Sequence, residues 1–430
     1  MKKIGLYGYG VFGKRASESF RSYWGGEYRV TAIFDRDPAG QKDRYWGLSV
    51  LSPGRMKEEY GKGTFEAVMI CIYDREARSS VSRQITDLGI PLFVPGSPED
   101  FAEPEYFPQE DKPEITVCRK HYAFHVYKNM LGAVADCERL QILFFFDETG
   151  RVCIDNYKKY IHDYEENLLQ YPFRLRDPIP EKIFMKGSYC ALTKAYSFNY
   201  GHFTFEMADC VYLLEKAGYR GKYIFNDRPY TRELLQVMGV SPDRLIGTKE
   251  LEIHKVYVFE RLYDINHAGL GQMEYSREVL PEMADCVKKK LKRRKNSPGK
   301  IYVKRTGIRK LMNGEEVAEK NGFCVIVPEQ YSVLEQMELF YNADIVLCPH
   351  GANSTNYLYM HKGAVFAEIF SDRWHMDINA DICEANGVHY LQMTGTACTD
   401  SGVGKDADYT ADEEALQQLI LQAERSLALS

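Results

Sequence analysis

Two arginines and a loop of small polar residues stand close together in the last third of the chain. Arg305 and Arg309 follow an apolar run at 300–303, and the segment CPHGANSTN at 348–356 follows a second run at 345–347. Guanidinium groups bind phosphate oxygens in pairs, and a loop that leads from a strand into a helix offers backbone N–H groups to an anion. The pattern therefore predicts a site for a diphosphate. The simpler alternatives are surface ion pairs for the arginines and an ordinary helix cap for the loop.

Further polar side chains accompany these groups. Glu368 lies near the end of the next apolar strand, at 364–370, where a carboxylate could accept hydrogen bonds from two ribose hydroxyls, and Asn313 opens the helix after the arginines. The loop residues that would line such a site are His350, Gly351, Ala352, Asn353, Thr355 and Asn356. We therefore expect one ligand site built from three successive segments.

The N-terminal segment carries a second phosphate-binding pattern. Its GxGxxG glycines are Gly8, Gly10 and Gly13. They stand between an apolar run at 3–7 and a predicted helix at 14–23, and Asp35 ends the next apolar run, 22 residues beyond the last glycine. In this context the glycines allow close approach of a pyrophosphate, and the carboxylate can accept from a ribose. The alternative is that the glycines only allow close packing of a helix on a strand.

The elements that must position these groups alternate between strands and helices, which predicts an α/β fold with parallel sheets. We divide the chain into a Rossmann-like nucleotide-binding-type unit at 1–98, an acidic, proline-containing linker at 99–114, a second unit at 115–266 and a third unit at 267–430. A closing helix is expected at 411–429, with Thr410 as its cap.

Composition narrows the classes of function. Of the 430 residues, 45% are hydrophobic and 27% are charged, as in ordinary folded proteins, and the net charge is −6. A general nucleic-acid binder needs a basic surface for its phosphate contacts, so this class of partner is excluded.

Cysteine usage and the absence of long apolar stretches predict a cytoplasmic protein. The 11 cysteines are scattered singly, as is typical of free thiols in a reducing compartment. The first residues lack the pattern of a signal peptide, and no stretch approaches the roughly 20 apolar residues of a membrane span. The basic run KKKLKRRK at 288–295 could bind anionic lipid headgroups, or it could be the solvated end of a helix.

Three segments resemble one known enzyme group. They are YSFNYGHFTFEMADCVYLL at 196–214, IYVKRTGIRKLMNGEEV at 301–317 and VIVPEQYSVLEQMELFYNADIVLCPHGANSTNYLYMHKGAVFAEIF at 325–370. In order and spacing they are similar to glycosyltransferase family 61. The resemblance is good over 185–375 and looser over 115–410. It excludes the N-terminal unit, which instead resembles the small Rossmann-like domains at the front of polysaccharide-biosynthesis proteins.

The resemblance implies a GT-B fold, in which two Rossmann-like domains face each other across a cleft. It also implies an inverting, metal-independent transfer of a sugar from a nucleotide sugar, expected to be UDP-linked, to a glycan acceptor, free or lipid-linked. The donor-binding roles that it implies fall on Arg305, Arg309, His350, Gly351, Thr355, Asn356 and Glu368. One departure bears on the donor sugar, because Asn353 and Ser354 stand where many members have Gly and Leu.

An inverting transfer needs a base on the acceptor hydroxyl, and His202 is the best candidate. It begins a predicted helix after an Asn-Tyr-Gly segment, and Glu206 stands one turn on, on the same face, where its carboxylate could orient the imidazole. The alternatives are that Glu206 is itself the base, or that His202 is packed among aromatic residues for structure. His350, His361 and His375 lie on separate turns, and we do not interpret them as a metal site.

Two other functions fit parts of the sequence. A nicotinamide-dependent oxidoreductase would use the N-terminal glycines, but the one Tyr-x-x-x-Lys spelling, at Tyr212 and Lys216, lies in the second unit. A non-catalytic sugar-nucleotide-binding protein would keep the fold without the chemistry. For the transferase we expect no cofactor, because the nucleotide sugar is the donor substrate. A further nucleotide is an open alternative as a ligand of the first unit. A membrane surface and a second copy of the chain are further open options for partners.

Overall fold

The computed structural model describes residues 1–10, 13, 28–38, 47–72, 75–93, 101–102, 104–137, 140–153, 182–194, 196–252, 255–267, 275–398 and 406–429. The predicted helix at 14–23 lies outside these residues. The described strands are β1 (Lys2–Tyr7), β2 (Tyr28–Phe34), β3 (Val50–Leu51), β4 (Ala67–Ile70), β5 (Phe101–Ala102), β6 (Tyr122–Cys137), β7 (Leu140–Phe146), β8 (Val152–Cys153), β9 (Lys182–Leu192), β10 (Lys222–Phe225), β11 (Leu245–Gly247), β12 (Val256–His267), β13 (Lys300–Val303), β14 (Cys324–Ile326), β15 (Ile345–Pro349), β16 (Val365–Ser371), β17 (His389–Ala397) and β18 (Tyr409–Thr410).

The described α-helices are α1 (Met56–Gly61), α2 (Arg75–Asp87), α3 (Tyr200–Phe203), α4 (Asp209–Lys216), α5 (Pro229–Met238), α6 (Val279–Lys288), α7 (Gly314–Lys320), α8 (Val333–Asn342), α9 (Ile378–Asn386) and α10 (Glu413–Ala428). A π turn at Thr204–Ala208 joins α3 to α4. A 3-10 helix at Ala352–Tyr359 follows β15. The strands form three β-sheets.

The first sheet is parallel throughout, in the order β3-β2-β1-β4. Its strands bury apolar residues on both faces, and Val81 and Ile85 of α2 complete the core on one of them. This order is that of one half of a doubly wound nucleotide-binding fold. The Rossmann-like character predicted for the first unit is therefore confirmed at the level of its sheet.

The second sheet is mixed, with parallel strands at both ends and antiparallel pairs from β12 to β8. Its order is β11-β10-β9-β12-β6-β7-β8-β5, and its first four strands are parallel to one another. β6 then runs antiparallel to β12, from the pair Val256↔Ala133 to the pair His267↔Tyr122. The sequence analysis did not predict β6, because residues 122–137 mix apolar and polar types without strict alternation. The α/β class is confirmed, and the antiparallel pairs add to it.

The predicted linker at 99–114 packs, in its described part, on this second sheet. β5 lies parallel to β8, and Phe107 is buried in the same core cluster as Tyr127. A backbone hydrogen bond of 2.7 Å joins Glu110 N to Val126 O. This segment is therefore attached to the second unit, and the boundary between the first two units stays a prediction.

The third sheet has the order β14-β13-β15-β16-β17-β18, and all neighbours are parallel except β17 and β18. The chain passes from β13 outward to β14 and then returns past β13 to β15. The winding direction therefore reverses between β13 and β15. In open α/β sheets, ligands bind outside the carboxyl ends of the strands at such a switch point.

The helix α10 covers one face of the third sheet, and its start differs from the prediction. Leu416 and Ile420 of this helix are buried in one cluster with residues of β13, β15 and β16. The side chain of Asp412 caps the helix by accepting from Ala415 N at 2.9 Å. The predicted cap at Thr410 is wrong, because that residue pairs with β17 as part of β18.

One apolar core extends from the second sheet to the elements around the third. Phe205 of the π turn and Tyr357 of the 3-10 helix meet in it, with ring centroids 6.3 Å apart. Residues of α5, α6 and α8 belong to the same cluster. The second and third units are thus packed against each other through buried side chains.

The basic run at 288–295 lies where α5 and α8 approach each other. Lys290 Nζ donates to Val237 O at 2.9 Å, and Arg294 pairs with Glu338 of α8. These contacts attach the run to two helices. Among the helices described, none combines the length and the apolar content that crossing a bilayer requires.

Candidate active site

Arg305 joins the two strands on either side of the switch point. It follows β13, and its Nη1 donates to the backbone carbonyl of His350, which follows β15, at 3.0 Å. Its Nε donates to Ile308 O at 3.1 Å. The guanidinium is therefore fixed in direction by two carbonyl groups, at the place where a parallel sheet of this order binds its ligand.

Gly351 is the residue against which this guanidinium packs. A Cβ at position 351 would lie 1.3 Å from Arg305 Nη1 and 2.5 Å from its Cζ. No side chain fits there while the arginine keeps its place. The glycine of the loop is therefore required for the position of the arginine, a reason that the sequence analysis did not give.

Arg309 adds a second, partly buried cation. Its backbone has φ 60°, in the left-handed region that non-glycine residues rarely adopt. Its Nε is buried and has no hydrogen-bond partner among the described residues. Burial, and then the charge of Arg305, lower the pKa of this guanidinium, while Asp406 acts in the opposite direction. Anion-binding sites often combine these features: a strained backbone, an unsatisfied buried donor and a second cation nearby.

Glu368 has a role that differs from the expected ribose contact. Its carboxylate is fully buried. Oε1 lies 2.8 Å from His350 Nδ1, Asn379 Nδ2 donates to both oxygens at 2.8 and 2.9 Å, and Tyr390 OH donates to Oε2 at 2.8 Å. A carboxylate offers about four accepting positions, so the protein itself uses them. Glu368 orients the His350 ring and has no position left for a ribose hydroxyl.

The partners of Glu368 were not predicted from the sequence, because they lie between the segment that ends at 370 and the closing helix, where no pattern was interpreted. Asn379 is in the first turn of α9, and Tyr390 is in β17. Burial, followed by the charge of Glu368, raises the pKa of Tyr390, so its phenol keeps its proton and donates. The ring of His350 also stacks on Phe370, with centroids 4.7 Å apart. The imidazole of His350 is therefore fixed by Glu368 at its edge and by Phe370 on its face.

Two asparagines predicted to bind the donor are tied to protein groups. Asn313 donates to Ala411 O at 2.7 Å and accepts from Ala411 N at 3.1 Å. Asn356 is fully buried; it accepts from Tyr200 OH at 2.7 Å and donates to Gln336 Oε1 at 3.1 Å. Both amides thus bind protein through oxygen and nitrogen alike. These contacts fasten the two side chains, and the ligand contacts expected of them stay a prediction.

The rest of the loop meets the helix that carries the predicted base. A Cβ at Gly201 would lie 3.0 Å from Thr355 Oγ1 and 3.8 Å from Ala352 Cα. Thr355 is buried, whereas the exposed side of the loop carries Asn353, which donates to Glu329 at 3.1 Å. The loop predicted to hold an anion and the start of α3 are therefore in direct contact.

His202 and Glu206 form the pair that their spacing predicts. His202 Nδ1 lies 2.5 Å from Glu206 Oε1, and the side chains keep 21% and 12% of their exposure. Asn199 caps the helix by accepting from Gly201 N at 2.9 Å and His202 N at 3.3 Å. Tyr196 stacks on the imidazole, with centroids 4.8 Å apart. The ring is thus oriented from two sides and remains accessible to solvent.

The N-terminal glycine pattern follows β1 and contains two positions that require glycine. Gly8 has φ 94°, and a Cβ at Gly13 would lie 1.9 Å from Gly8 O, so both positions need glycine. Gly10 has open space around it. Asp35 accepts from Tyr9 N at 2.6 Å through Oδ2 and from Asp37 N at 2.9 Å through Oδ1. The carboxylate braces this segment, and nucleotide binding there stays a prediction.

A comparison with protein families identifies the region that contains this site. The family model of Glycosyltransferase 61 matches residues 200–367. The match begins two residues before His202 and includes both arginines and the whole loop after β15. This chain contains a family 61 glycosyltransferase region. The protein is therefore an enzyme of the glycosyltransferase class.

Other comparisons add little. No curated protein matches the chain. Among solved structures, UDP-D-quinovosamine 4-dehydrogenase from Vibrio fischeri is similar at 19% identity over 23% of this chain and 81% of that chain, with a TM-score of 0.20. Such a low TM-score supports no conclusion about this protein. Tyr212 and Lys216, the pair that an oxidoreductase would need, both contact Glu282 of α6.

Because a Cβ at position 351 would overlap the guanidinium of Arg305, one added methyl group there should lower activity. Gly351→Ala displaces the guanidinium and removes its charge-assisted hydrogen bonds, so we expect kcat/KM for the donor to fall at least about tenfold, the equivalent of roughly 1.5–3 kcal/mol. Gly307→Ala is the matched control, because a Cβ there meets nothing within 4 Å, and it should stay within about twofold of wild type. Equal activity of the two folded variants would contradict the assignment.

Proposed function

We propose that this glycosyltransferase moves a sugar from a nucleotide sugar, most simply a UDP-sugar, onto a hydroxyl of a growing surface glycan, free or lipid-linked, with inversion at the anomeric carbon and without a metal ion. The observation that carries the proposal is the placement of two arginines at a sheet switch point whose loop touches the helix of a histidine–carboxylate pair. One side of this arrangement suits a leaving diphosphate, and the other suits an acceptor hydroxyl.

On the donor side, Arg305 and Arg309 stabilise the negative charge that develops on the leaving diphosphate. The bond between the anomeric carbon and the phosphate oxygen breaks, and the diphosphate takes the electron pair. Fixed cations stabilise that charge without having to reorient during the reaction. Arg305 is already fixed by two carbonyl groups. Arg309 has an unsatisfied buried donor for the ligand, as far as the described residues show.

On the acceptor side, the His202–Glu206 pair removes the proton. With Nδ1–H donated to Glu206, the ring presents Nε2 as the acceptor. The acceptor oxygen forms a bond to the anomeric carbon while its proton passes to Nε2, and the displacement from the opposite face inverts the configuration. The glutamate holds the ring in one tautomer and direction. A base on the helix that contacts the donor loop is well placed for this single step.

Removal of each arginine should weaken the donor site. We expect Arg305→Ala and Arg309→Ala each to reduce donor affinity by roughly 1.5–3 kcal/mol, the usual value for hydrogen bonds to a charged group. Titration with the nucleotide alone measures this loss. Arg277→Ala is the control, since its guanidinium is half exposed and pairs with Glu384. Unchanged affinity in both test variants would remove the diphosphate from this position.

Removal of the base should affect turnover and leave donor binding intact. His202→Ala should lower kcat by roughly 10²- to 10⁴-fold, with donor affinity hardly changed. Glu206→Gln should cause a smaller loss, because the ring remains. His361→Ala is the control, as that ring also pairs with a carboxylate, Asp344, at 3.2 Å. A larger loss for Glu206→Gln than for His202→Ala would make the glutamate the base.

The two cations also predict how the enzyme responds to a chelator. Turnover should survive EDTA, because arginines take the position in which other transferases use a divalent ion on the diphosphate. The measurement is initial rate before and after dialysis against the chelator, with Mg²⁺ and Mn²⁺ added back separately. Loss of activity that one of these ions restores would contradict the metal-independent mechanism.

A further inference from the structure

The π turn that carries Glu206 depends on a side chain from outside the helix. The Glu206 carbonyl accepts from Lys194 Nζ at 2.9 Å, and Cys210 Sγ lies 3.5 Å from the same oxygen. The amide of Cys210, which would serve this carbonyl in a regular α-helix, donates to Asp209 Oδ1 at 2.7 Å. Wide turns of this kind occur mostly as single insertions in helices, often at functional sites.

Lys194 reaches this carbonyl from the interior of the protein. Only 7% of the residue is exposed, and an ammonium group out of water costs several kcal/mol unless an opposite charge compensates for it. Asp209, fully buried at the start of α4, carries an opposite charge that interacts with that of Lys194. Burial alone would raise the pKa of Asp209, but His267, Tyr122 and then Lys194 hold that pKa below its ordinary value. The carboxylate therefore stays charged.

Two further groups fix Asp209 in place. Tyr122 OH donates to its Oδ2, and His267 Nε2 lies 2.8 Å from the same oxygen, although the ring is not aligned for a regular hydrogen bond. These residues come from β6 and β12, the antiparallel pair in the middle of the second sheet. Asp209, which directly follows the π turn, is thus held by residues of the longest strand pair described in that sheet.

The cluster is better suited to positioning than to metal binding. The ligand atoms of Asp209, Cys210 and His267 lie within 4.8 Å of one another. However, a cation there would meet the ammonium of Lys194, whose charge acts on Asp209 and Cys210 alike. Burial, and then the charge of Asp209, raise the pKa of the Cys210 thiol, which disfavours the thiolate that a metal needs.

We infer that Lys194, with Asp209 as its counter-charge, is a positioning residue for the transfer reaction. It holds the backbone of Glu206 in the π turn, so that the Glu206 carboxylate stays against His202 and keeps the imidazole in the tautomer that accepts a proton. Lys194 contacts neither substrate. The inference rests on the proposed function of the His202–Glu206 pair. Burying the charge of a lysine is costly, and Lys194 Nζ contacts the Glu206 carbonyl, at the residue that orients His202.

The test is Lys194→Met, which keeps an unbranched side chain, one atom shorter, and removes its charge and donor. We expect kcat to fall roughly 10- to 100-fold, as when a supporting residue of a site is lost, with the donor KM unchanged. Lys194→Arg should restore most of the rate. Lys216→Met is the matched control, because that lysine is exposed on α4 and pairs with Glu282. It should leave kcat at the wild-type value.

A double-mutant cycle separates positioning from a general effect on folding. In a Glu206→Gln background, Lys194→Met should cost less than about threefold, because the contact that it supports is already weakened. The ¹⁵N signal of His202 Nδ1, assigned by its loss in His202→Ala, should shift in Lys194→Met in the same direction as in Glu206→Gln. If Lys194→Met does not fold, Lys194→Gln replaces it, since its amide is one bond too short to reach the carbonyl.

Two results would overturn the inference while leaving the proposed function in place. They are wild-type turnover in the Lys194 variants, or losses that simply multiply in the double mutant, both alongside a strong loss in His202→Ala. Near-normal turnover in His202→Ala would instead remove the base assignment, and the inference would fall with it.

Discussion

At the carboxyl edge of the third sheet, the guanidinium of Arg305 occupies the space that a side chain at Gly351 would need. The proposed donor side of the site is built around that contact. A Cβ at position 351 would lie 1.3 Å from Nη1, so the guanidinium can take this position only beside a glycine. The order of strands places this contact at the switch point, where the crossovers leave the sheet edge uncovered. The direction of the cation is thereby set by the backbone, before any ligand arrives. Arg309, in a left-handed backbone conformation, adds its charge beside it.

Two histidine–carboxylate pairs flank this contact, and their burial separates their chemistry. Glu368 is fully buried and accepts hydrogen bonds at all of its usual positions, so it can orient His350 but cannot meet a substrate. Glu206 and His202 keep part of their exposure and share one short contact. A proton can enter and leave only the second pair without breaking a buried network. In the proposed reaction, the same two residue types therefore support structure on the donor side and proton transfer on the acceptor side.

The sequence predicted which of these segments lie close together better than it predicted the contacts of each residue. Strand ends, the arginines, the loop and the His202–Glu206 spacing all follow from local patterns, because they involve neighbours within a few residues. Asn356 could not be assigned in this way, since its partner Tyr200 stands 156 residues away and an amide serves a ligand or a protein equally well. The long antiparallel β6 was missed for a related reason. Its partner β12 determines its conformation, and its own residues carry no clear alternation.

The contact between α3 and the loop after β15 also limits how the site can open. Tyr200 donates to the buried Asn356, and burial raises the pKa of this phenol, so it remains a donor. Gly201 packs on Thr355 one residue before the base. Separating the two units here would leave buried polar groups without partners, at a cost of about 1–3 kcal/mol for each group. This contact therefore opposes a separation of α3 from the loop after β15, and in the proposed reaction it keeps His202 close to the donor loop.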